Sequence, residues 1–191
     1  MNIKQPRCRL VSKSYKANEG VIKVPIESKR LKFRLYRDED FDFLVSMLSD
    51  PEMVRFIGNG QVRDREGAKR FLDWIYSTYE NGSDMGLMIL MNKNENVPIG
   101  HAGLVPQQIE GRKEIEIGYW ISHRYWRQGY ATESALALRN YGSHQLGIQR
   151  FISLIQPGNI ASRRVAEIIG MSVEKEIILA GQDVCLYSIF C

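Results

Sequence analysis

The sequence predicts an α/β fold with a mixed, mostly antiparallel sheet of about seven strands flanked by about four helices. Strand-like runs with period-two alternation recur along the chain, and amphipathic helical runs interrupt them. The composition of the 191 residues, 44% hydrophobic and 25% charged, is typical of a single globular domain. Because no repeat or low-complexity tract divides the chain, we expect a basic extension at residues 1–26 and one domain at residues 27–191.

The first half of the domain alternates between strands and helices. Residues 31–36 alternate and predict the first firm strand, after a candidate edge strand at residues 20–26. Asp38 or Asp40 then caps a helix, an Asp-Pro pair starts a short helical segment, and a longer helix begins near Asp64. The apolar faces of the first and the longer helix comprise Phe41, Leu44, Val45 and Leu48, and Ala68, Phe71, Leu72, Ile75 and Tyr79.

The middle of the chain predicts three successive strands, at residues 85–92, 97–106 and 113–121. Short turn-forming segments separate them, so an antiparallel meander is the economical topology. A helix at residues 129–147 follows, and residues 150–155 form an apolar run typical of a buried strand.

The last part predicts one helix and one hairpin. A Pro-Gly-Asn turn introduces the helix, and Gly170 ends it. Residues 171–179 and 184–190 then form the hairpin. The helix is expected to turn three residues inward: Val165, Ile168 and Ile169.

Charge and composition exclude several classes of protein. Residues 1–26 carry six basic side chains and one acidic side chain, so their net charge is +5. The whole chain has a net charge of +4, so the remaining residues sum to −1. A solvated tail and a nucleic-acid or ribosome contact both fit this charge, but the domain itself predicts no nucleic-acid partner. No apolar run reaches the roughly 18 residues of a membrane span. The N-terminus lacks a signal core, so we expect a cytoplasmic protein.

The cysteines and histidines predict no metal centre. The three cysteines are widely separated and odd in number, which argues against a disulfide framework. The three histidines show no metal-ligand spacing, so we expect no metal. These six residues are Cys8, Cys185 and Cys191, and His101, His123 and His144.

A strand, a basic turn and a helix start follow one another between residues 114 and 134. The first N–H groups of a helix have no intrahelical partner, and the helix dipole adds partial positive charge there. Gly129 removes the side chain that would keep an anion away from the backbone. The segment therefore fits an anion site, although a glycine at a helix start is also an ordinary turn residue.

The motif Trp126-Arg-Gln-Gly-Tyr-Ala131 resembles the acyl-CoA pyrophosphate loop of the GNAT superfamily of N-acetyltransferases, Q/R-x-x-G-x-G/A. The wider string from Ile117 to Glu133 is similar to the RimJ/RimL-like branch. Trp126 replaces the family's Gln or Arg, and in this branch a Trp there is usual. The resemblance covers about residues 29–190 and implies a GNAT fold, acetyl-CoA as co-substrate, and a primary amine as acceptor, either a protein N-terminus or a small molecule.

The resemblance also implies which residues bind acetyl-CoA. Backbone N–H groups of the loop bind the pyrophosphate, and backbone groups of the preceding strand pair with the pantetheine arm. The helix that follows residues 157–159 contributes its capping residue. The expected set is Tyr119, Ile121, Gln128, Gly129, Tyr130, Ala131, Thr132 and Asn159.

For catalysis, the strand position and the resemblance together point to Glu116 as general base. The resemblance to the RimJ/RimL-like branch implies Ser162 as the acid that protonates the thiolate. In a strand at residues 114–121, Glu116 shares a face with Glu114, and both glutamates also fit a solvated face. Many GNAT enzymes place a tyrosine where this chain has Ala166, so that role is not carried over. Asn159 and Ser162 also fit simple helix capping.

Two readings of function from different classes stay open at this point. The first is an acetyl-CoA-dependent N-acetyltransferase that works by direct attack in a ternary complex, as a monomer or a homodimer. The second is a non-catalytic acyl-CoA-binding or sensing module, for which the missing tyrosine at Ala166 is the main support. An acyl-cysteine route through Cys185 is disfavoured, because that residue lies in an apolar strand pattern without a neighbouring base.

Overall fold

The computed structural model describes residues 26–82 and 84–191, so residues 1–25 of the predicted basic extension lie outside it. Within those ranges one seven-stranded sheet has the spatial order β1-β2-β3-β4-β5-β7-β6. The strands are β1 (Leu31–Arg34), β2 (Gly86–Asn92), β3 (Val97–Ile109), β4 (Arg112–Ile121), β5 (Arg150–Ile155), β6 (Ser172–Leu179) and β7 (Gln182–Phe190). The helices are α1 (Phe41–Leu48), α2 (Pro51–Val54), α3 (Arg65–Thr78), α4 (Tyr130–His144) and α5 (Ile160–Ile168).

The predicted fold class is confirmed, with five α-helices among the described residues where about four were expected. Neighbouring strands are antiparallel except β4 and β5, which are parallel. None of the described helices is long and apolar enough to cross a membrane.

The sheet buries both of its faces, because successive side chains of a strand point to opposite sides. In β2, Met88 and Leu90 pack in the core beneath α4 and α5, whereas Leu87 and Ile89 pack against α1 and α3. β2 is therefore a continuous apolar run rather than an alternating one.

β4 and β5 separate soon after they meet. Their backbone ladder comprises a single pair, Glu116 with Ile152. Beside it the Ser153 hydroxyl donates to the Ile117 carbonyl at 3.0 Å, so a side chain replaces the next ladder contact. The divergence of the two strands opens the centre of the sheet.

Three local predictions need correction. Ile168 was expected to face inward, but it is 58% exposed and lines the central cleft. β3 runs three residues past Pro106, because β2 pairs only as far as Leu104 and the missing N–H of Pro106 interrupts no ladder. Asp40 does not bond the first turn of α1; its carboxylate instead binds the Arg34 guanidinium through two contacts of 2.6 and 2.7 Å.

Candidate active site

The divergence of β4 and β5 produces a cleft of about 750 Å³, within the usual range for small-molecule sites. On one face of the sheet it is lined by the start of α4 and by α5, and on the other by residues 52–57, which belong to α2 and the turn after it. Glu116 lies where the two strands part. A ligand in the gap thus reaches both faces.

The loop before α4 has the geometry of an anion site. Gly129 has a φ of 79° and Arg127 a φ of 59°, so the chain turns through the left-handed region twice before Tyr130 begins the helix. Arg127, Gly129, Ala131 and Thr132 all line the cleft. The unpaired N–H groups of the first helical turn therefore lie at its wall.

Gln128 and Tyr130 contribute to this loop in a different way from their neighbours. The Gln128 side chain bonds the Arg124 carbonyl at 3.3 Å, and Gln128 is not one of the residues that line the cleft. The Tyr130 side chain is buried, and its hydroxyl accepts a hydrogen bond from Asn92 at 3.1 Å. For Tyr130, the buried side chain leaves the backbone as the part that a ligand at the loop can contact.

Arg30, about one hundred residues earlier in the chain, holds the loop from behind. Its Nη1 donates to the Gln128 carbonyl at 3.0 Å, and its guanidinium lies 4.2 Å from the centre of the Tyr130 ring. Its Nε and backbone N–H both donate to the Glu133 carboxylate, at 2.6 and 2.7 Å, and the Ser28 hydroxyl adds a third bond of 2.7 Å. The one carboxylate in the first turn of α4 is therefore neutralised.

Burial raises the pKa of the Glu133 carboxyl, but the hydrogen bonds from Ser28 and Arg30 outweigh it and lower that pKa overall. Glu133 is therefore an anion that is paired with Arg30 and does not line the cleft. A helix start with a neutralised carboxylate favours the binding of a second, external anion.

Trp126 stands where the family motif has Gln or Arg, and the structure shows what the indole does instead. Its Nε1–H donates to the Ile121 carbonyl at 2.6 Å, and its ring packs against His123 at 4.3 Å between centroids. The indole thereby fixes the loop to the end of β4. Because the Ile121 carbonyl already accepts this bond, an extended ligand along β4 can form a backbone hydrogen bond at Ile121 only with the N–H of that residue.

The backbone edge of β4 that faces the gap can be identified from two contacts. The carbonyls of Ile117 and Ile121 accept bonds from Ser153 and Trp126, both of which lie on the β5 side. Because backbone groups alternate in direction along a strand, those of Tyr119 point the same way. The backbone groups of Tyr119 therefore face the gap between β4 and β5.

Glu116 is half-buried and hydrogen-bonded rather than on a solvated face. Its carboxylate accepts from Gln107 Nε2 at 2.6 Å. Burial raises its pKa above the ordinary value, and the bonds from Gln107 and from the Leu154 N–H offset part of that rise. A carboxylate with a raised pKa beside a cleft is a candidate proton acceptor.

Glu114 has a structural role. It is buried and forms an ion pair with Arg150 at 3.0 Å, at the end of the sheet where β4 and β5 stay together. Arg150 also binds Glu174 at 2.8 Å. The two glutamates of β4 thus divide, one toward the cleft and one into a salt bridge.

The start of α5 brings Asn159 and Ser162 to the cleft wall. The Asn159 side chain caps the helix by accepting from the Ser162 N–H at 3.1 Å, so the capping role is real. The Tyr119 hydroxyl donates to the Ser162 carbonyl at 3.1 Å and ties β4 to this turn. Ala166 is fully buried and offers no hydroxyl.

The comparisons with known proteins agree with this geometry. A profile of the acetyltransferase (GNAT) domain matches residues 30–172, three quarters of the chain. The chain belongs to the GNAT acetyltransferase family. An uncharacterised N-acetyltransferase of Bacillus subtilis, YnaD, is 32% identical over 149 residues, which cover 78% of this chain and 83% of the relative.

Solved GNAT structures share the fold. A GNAT-family acetyltransferase from Bacillus anthracis superposes with a TM-score of 0.71 at 27% identity, covering 86% of this chain and 97% of that one. RimL, a ribosomal L7/L12 α-N-protein acetyltransferase solved with coenzyme A, has a TM-score of 0.71 at 19% identity, covering 87% and 96%. At that identity the likeness concerns the fold alone.

Several residues around this GNAT cleft were missed by sequence reasoning. Arg30, Gln107 and Ser153 act through contacts between distant segments, for which no local pattern is a signal. The segment at residues 52–57 was predicted as a short helical segment, and the structure adds that five of its six residues line the cleft. Cys185 is buried, in keeping with a structural thiol.

Proposed function

We propose that this GNAT enzyme transfers the acetyl group of acetyl-CoA to a primary amine by direct attack within a ternary complex. The observation that carries the proposal is that one cleft is lined both by the anion-binding start of α4 and by Glu116. The donor's phosphates and the proton acceptor are thereby placed on one continuous surface. Direct transfer needs that arrangement, because no covalent intermediate moves the acetyl group between sites.

The donor is held along the β4 edge and the α4 start. Backbone N–H groups of Gly129, Tyr130, Ala131 and Thr132, which line the cleft, and of the adjacent Gln128 bind the pyrophosphate. Arg127 faces the same space. The pantetheine arm pairs with the backbone of Tyr119 and with the N–H of Ile121. Asn159 fixes the first turn of α5 beside it.

Glu116 removes the proton from the acceptor ammonium, whose pKa is about 8 for an α-amine and about 10 for a lysine side chain. The amine nitrogen then forms a bond to the thioester carbon, and backbone N–H groups on the β4 edge stabilise the oxyanion. When the carbon–sulfur bond breaks, the Ser162 hydroxyl donates a proton to the departing thiolate. The proton that the attacking nitrogen loses as the amide forms is exchanged through water and restores the Ser162 hydroxyl.

The alternative is a module that binds acyl-CoA without turnover. The absence of a hydroxyl at Ala166 favours it, whereas the raised pKa of Glu116 and the position of Ser162 in the same cleft favour catalysis. The two differ in one measurable property, the release of free thiol when an amine is added.

The test is calorimetric titration with acetyl-CoA, followed by an assay of thiol release with amines. Gly129→Glu should abolish acetyl-CoA binding, because it places a carboxylate at the anion site. Gly147→Glu is the matched control: Gly147 has a similar φ of 67°, lies just beyond the other end of α4, and has open space around it. The control bears the same backbone strain, so it should bind acetyl-CoA like the wild type.

Equal loss of binding in both variants would show that strain, not charge at the loop, is responsible, and the loop assignment would fail. Saturable binding without thiol release for any amine would instead support the sensing module.

A further inference from the structure

The wall of the cleft opposite α4 and α5 is distinctly apolar. Met53 is only 8% exposed, and Phe56, Ile57 and Trp120 are half-buried; all four line the cleft. These residues lie on the face of the sheet away from the α4 start, where the acceptor must approach. Hereafter Met53, Phe56, Ile57 and Trp120 are called the apolar wall.

The apolar wall is held rigidly in place. Trp120 stacks on Phe71 with centroids 5.5 Å apart and rings nearly parallel, and His101 packs against it at 4.6 Å. Such a surface is preformed, and an apolar substituent that covers it gains burial with little reordering.

The turn that carries Phe56 is fixed to the opposite side of the gap. Gln156 Nε2 donates to the Gly58 carbonyl at 2.7 Å, which joins the turn to the segment between β5 and α5. Gly158 in that segment lets the ring approach closely, because a Cβ there would lie 3.0 Å from Phe56 Cε1. The ring is therefore a fixed boundary of the cleft.

The charged side chains that line the cleft argue against a polycation as the acceptor. The acidic residues that line it are Glu52 and Glu116, and the basic ones are Arg55, Arg127 and Arg164, among the residues that the structure describes. Glu116 is engaged by the reacting amine. Glu52 alone is thus left for any second ammonium, with Arg55 three residues away on the same wall.

We infer that the acceptor is a primary amine with a single positive charge and an apolar group next to the amine, rather than a polyamine or an aminoglycoside. The inference deepens the proposed function and rests on it. The apolar group contacts the apolar wall while the amine reaches Glu116. A free small amine and a peptide N-terminus share this chemistry.

The test compares acceptors that differ in one property each. Thiol release is measured with phenylalanine amide, glycine amide, spermidine, and a tetrapeptide amide that begins with phenylalanine. Burial of the aromatic side chain should raise kcat/KM for phenylalanine amide about 10-fold or more over glycine amide. Spermidine should be the poorest acceptor, and the ratio of the tetrapeptide to phenylalanine amide identifies the source.

Phe56→Ala should reduce the preference for phenylalanine amide over glycine amide several-fold and leave the KM for acetyl-CoA unchanged. Phe56→Leu should restore part of the preference, because it restores apolar surface. Phe190→Ala is the control: Phe190 is 75% exposed and is not one of the residues lining the cleft, so its removal should leave the preference unaltered.

The inference would be overturned if spermidine were acetylated as well as phenylalanine amide, or better. It would also be overturned if the protein bound acetyl-CoA but acetylated neither phenylalanine compound. Failure to bind acetyl-CoA at all would instead remove the proposed function. The donor titration and the acceptor panel therefore fail separately.

Discussion

Glu116 experiences two opposing effects at the same carboxylate. Burial favours the neutral acid and raises its pKa, whereas Gln107 and the Leu154 N–H favour the anion and partly restore it. The result is a group that is more basic than an exposed glutamate. That balance suits a base that must accept a proton from an ammonium and return it to solvent.

Glu116→Gln keeps the acceptor for Gln107 and removes the basicity. We expect kcat to fall about 10²-fold or more. In the wild type, kcat should decline as the pH drops through the raised pKa of Glu116, because protonation removes the base. The variant should lack that acidic limb, while its affinity for acetyl-CoA, measured by titration, stays within about threefold.

Glu114→Gln is the control for this experiment, because Glu114 lies on the same strand and face but binds Arg150. It should lower the stability of the fold and leave the pH profile of kcat unmoved. If both variants show the same profile as the wild type, Glu116 has no part in proton transfer.

At the scale of elements, sequence patterns predicted the features that depend on interactions between residues close together in the chain. β5 agrees residue for residue, because its apolar run is bounded by glycine and proline. The prediction that Ile168 faces inward was wrong for a physical reason. Helical periodicity identifies the apolar face of a helix, but it does not show whether that face packs in a core or lines a cleft. The loop motif located the α4 start, whereas the contacts of Arg30 join residues about one hundred positions apart.

The start of α4 depends on the charge balance between Arg30 and Glu133. Arg30→Ala should weaken acetyl-CoA binding about 10-fold, because it frees the Gln128 carbonyl and removes the positive charge that is paired with the Glu133 carboxylate. Adding Glu133→Gln should restore part of the affinity by removing the charge of that carboxylate. Calorimetric titration of both single variants and the double variant measures the coupling.

Arg70→Ala serves as a control, because Arg70 forms an exposed pair with Glu66 within α3. It should leave the affinity unchanged. A double variant that binds acetyl-CoA no better than Arg30→Ala alone would show that packing on Tyr130, rather than charge, is what Arg30 contributes.

At the scale of the whole molecule, stability depends on two large cores, one on each face of the sheet, and on a small third cluster among the described residues. His101 lies in β3 with no exposed surface, and its Nδ1 is hydrogen-bonded to the Tyr36 hydroxyl at 2.6 Å. Its Nε2 has no partner among the described residues. Burial lowers the pKa of His101 to about 3, so the folded protein holds a neutral imidazole at a site where charge is strongly disfavoured.

This burial makes stability dependent on pH in a defined window. The unfolded chain binds a proton at His101 below about pH 6.5, whereas the folded chain does not until about pH 3, so acidification through that window favours unfolding. Between about pH 7.5 and about pH 5, His101 should account for a loss of about 2 kcal/mol in the free energy of unfolding. Urea denaturation at the two pH values measures it.

His101→Gln retains a hydrogen-bonding partner for Tyr36 and cannot titrate, so the free energy of unfolding should depend less on pH, whatever its absolute value. His144→Gln is the control, because His144 is exposed near the end of α4. It should keep the wild-type dependence. Glu116 acts in the opposite direction, since its raised pKa in the folded state adds stability on acidification. The comparison is therefore made between variants that all retain Glu116. If the free energy of unfolding of His101→Gln varied with pH as steeply as that of the wild type, the buried imidazole would be ruled out as the source of the acid sensitivity.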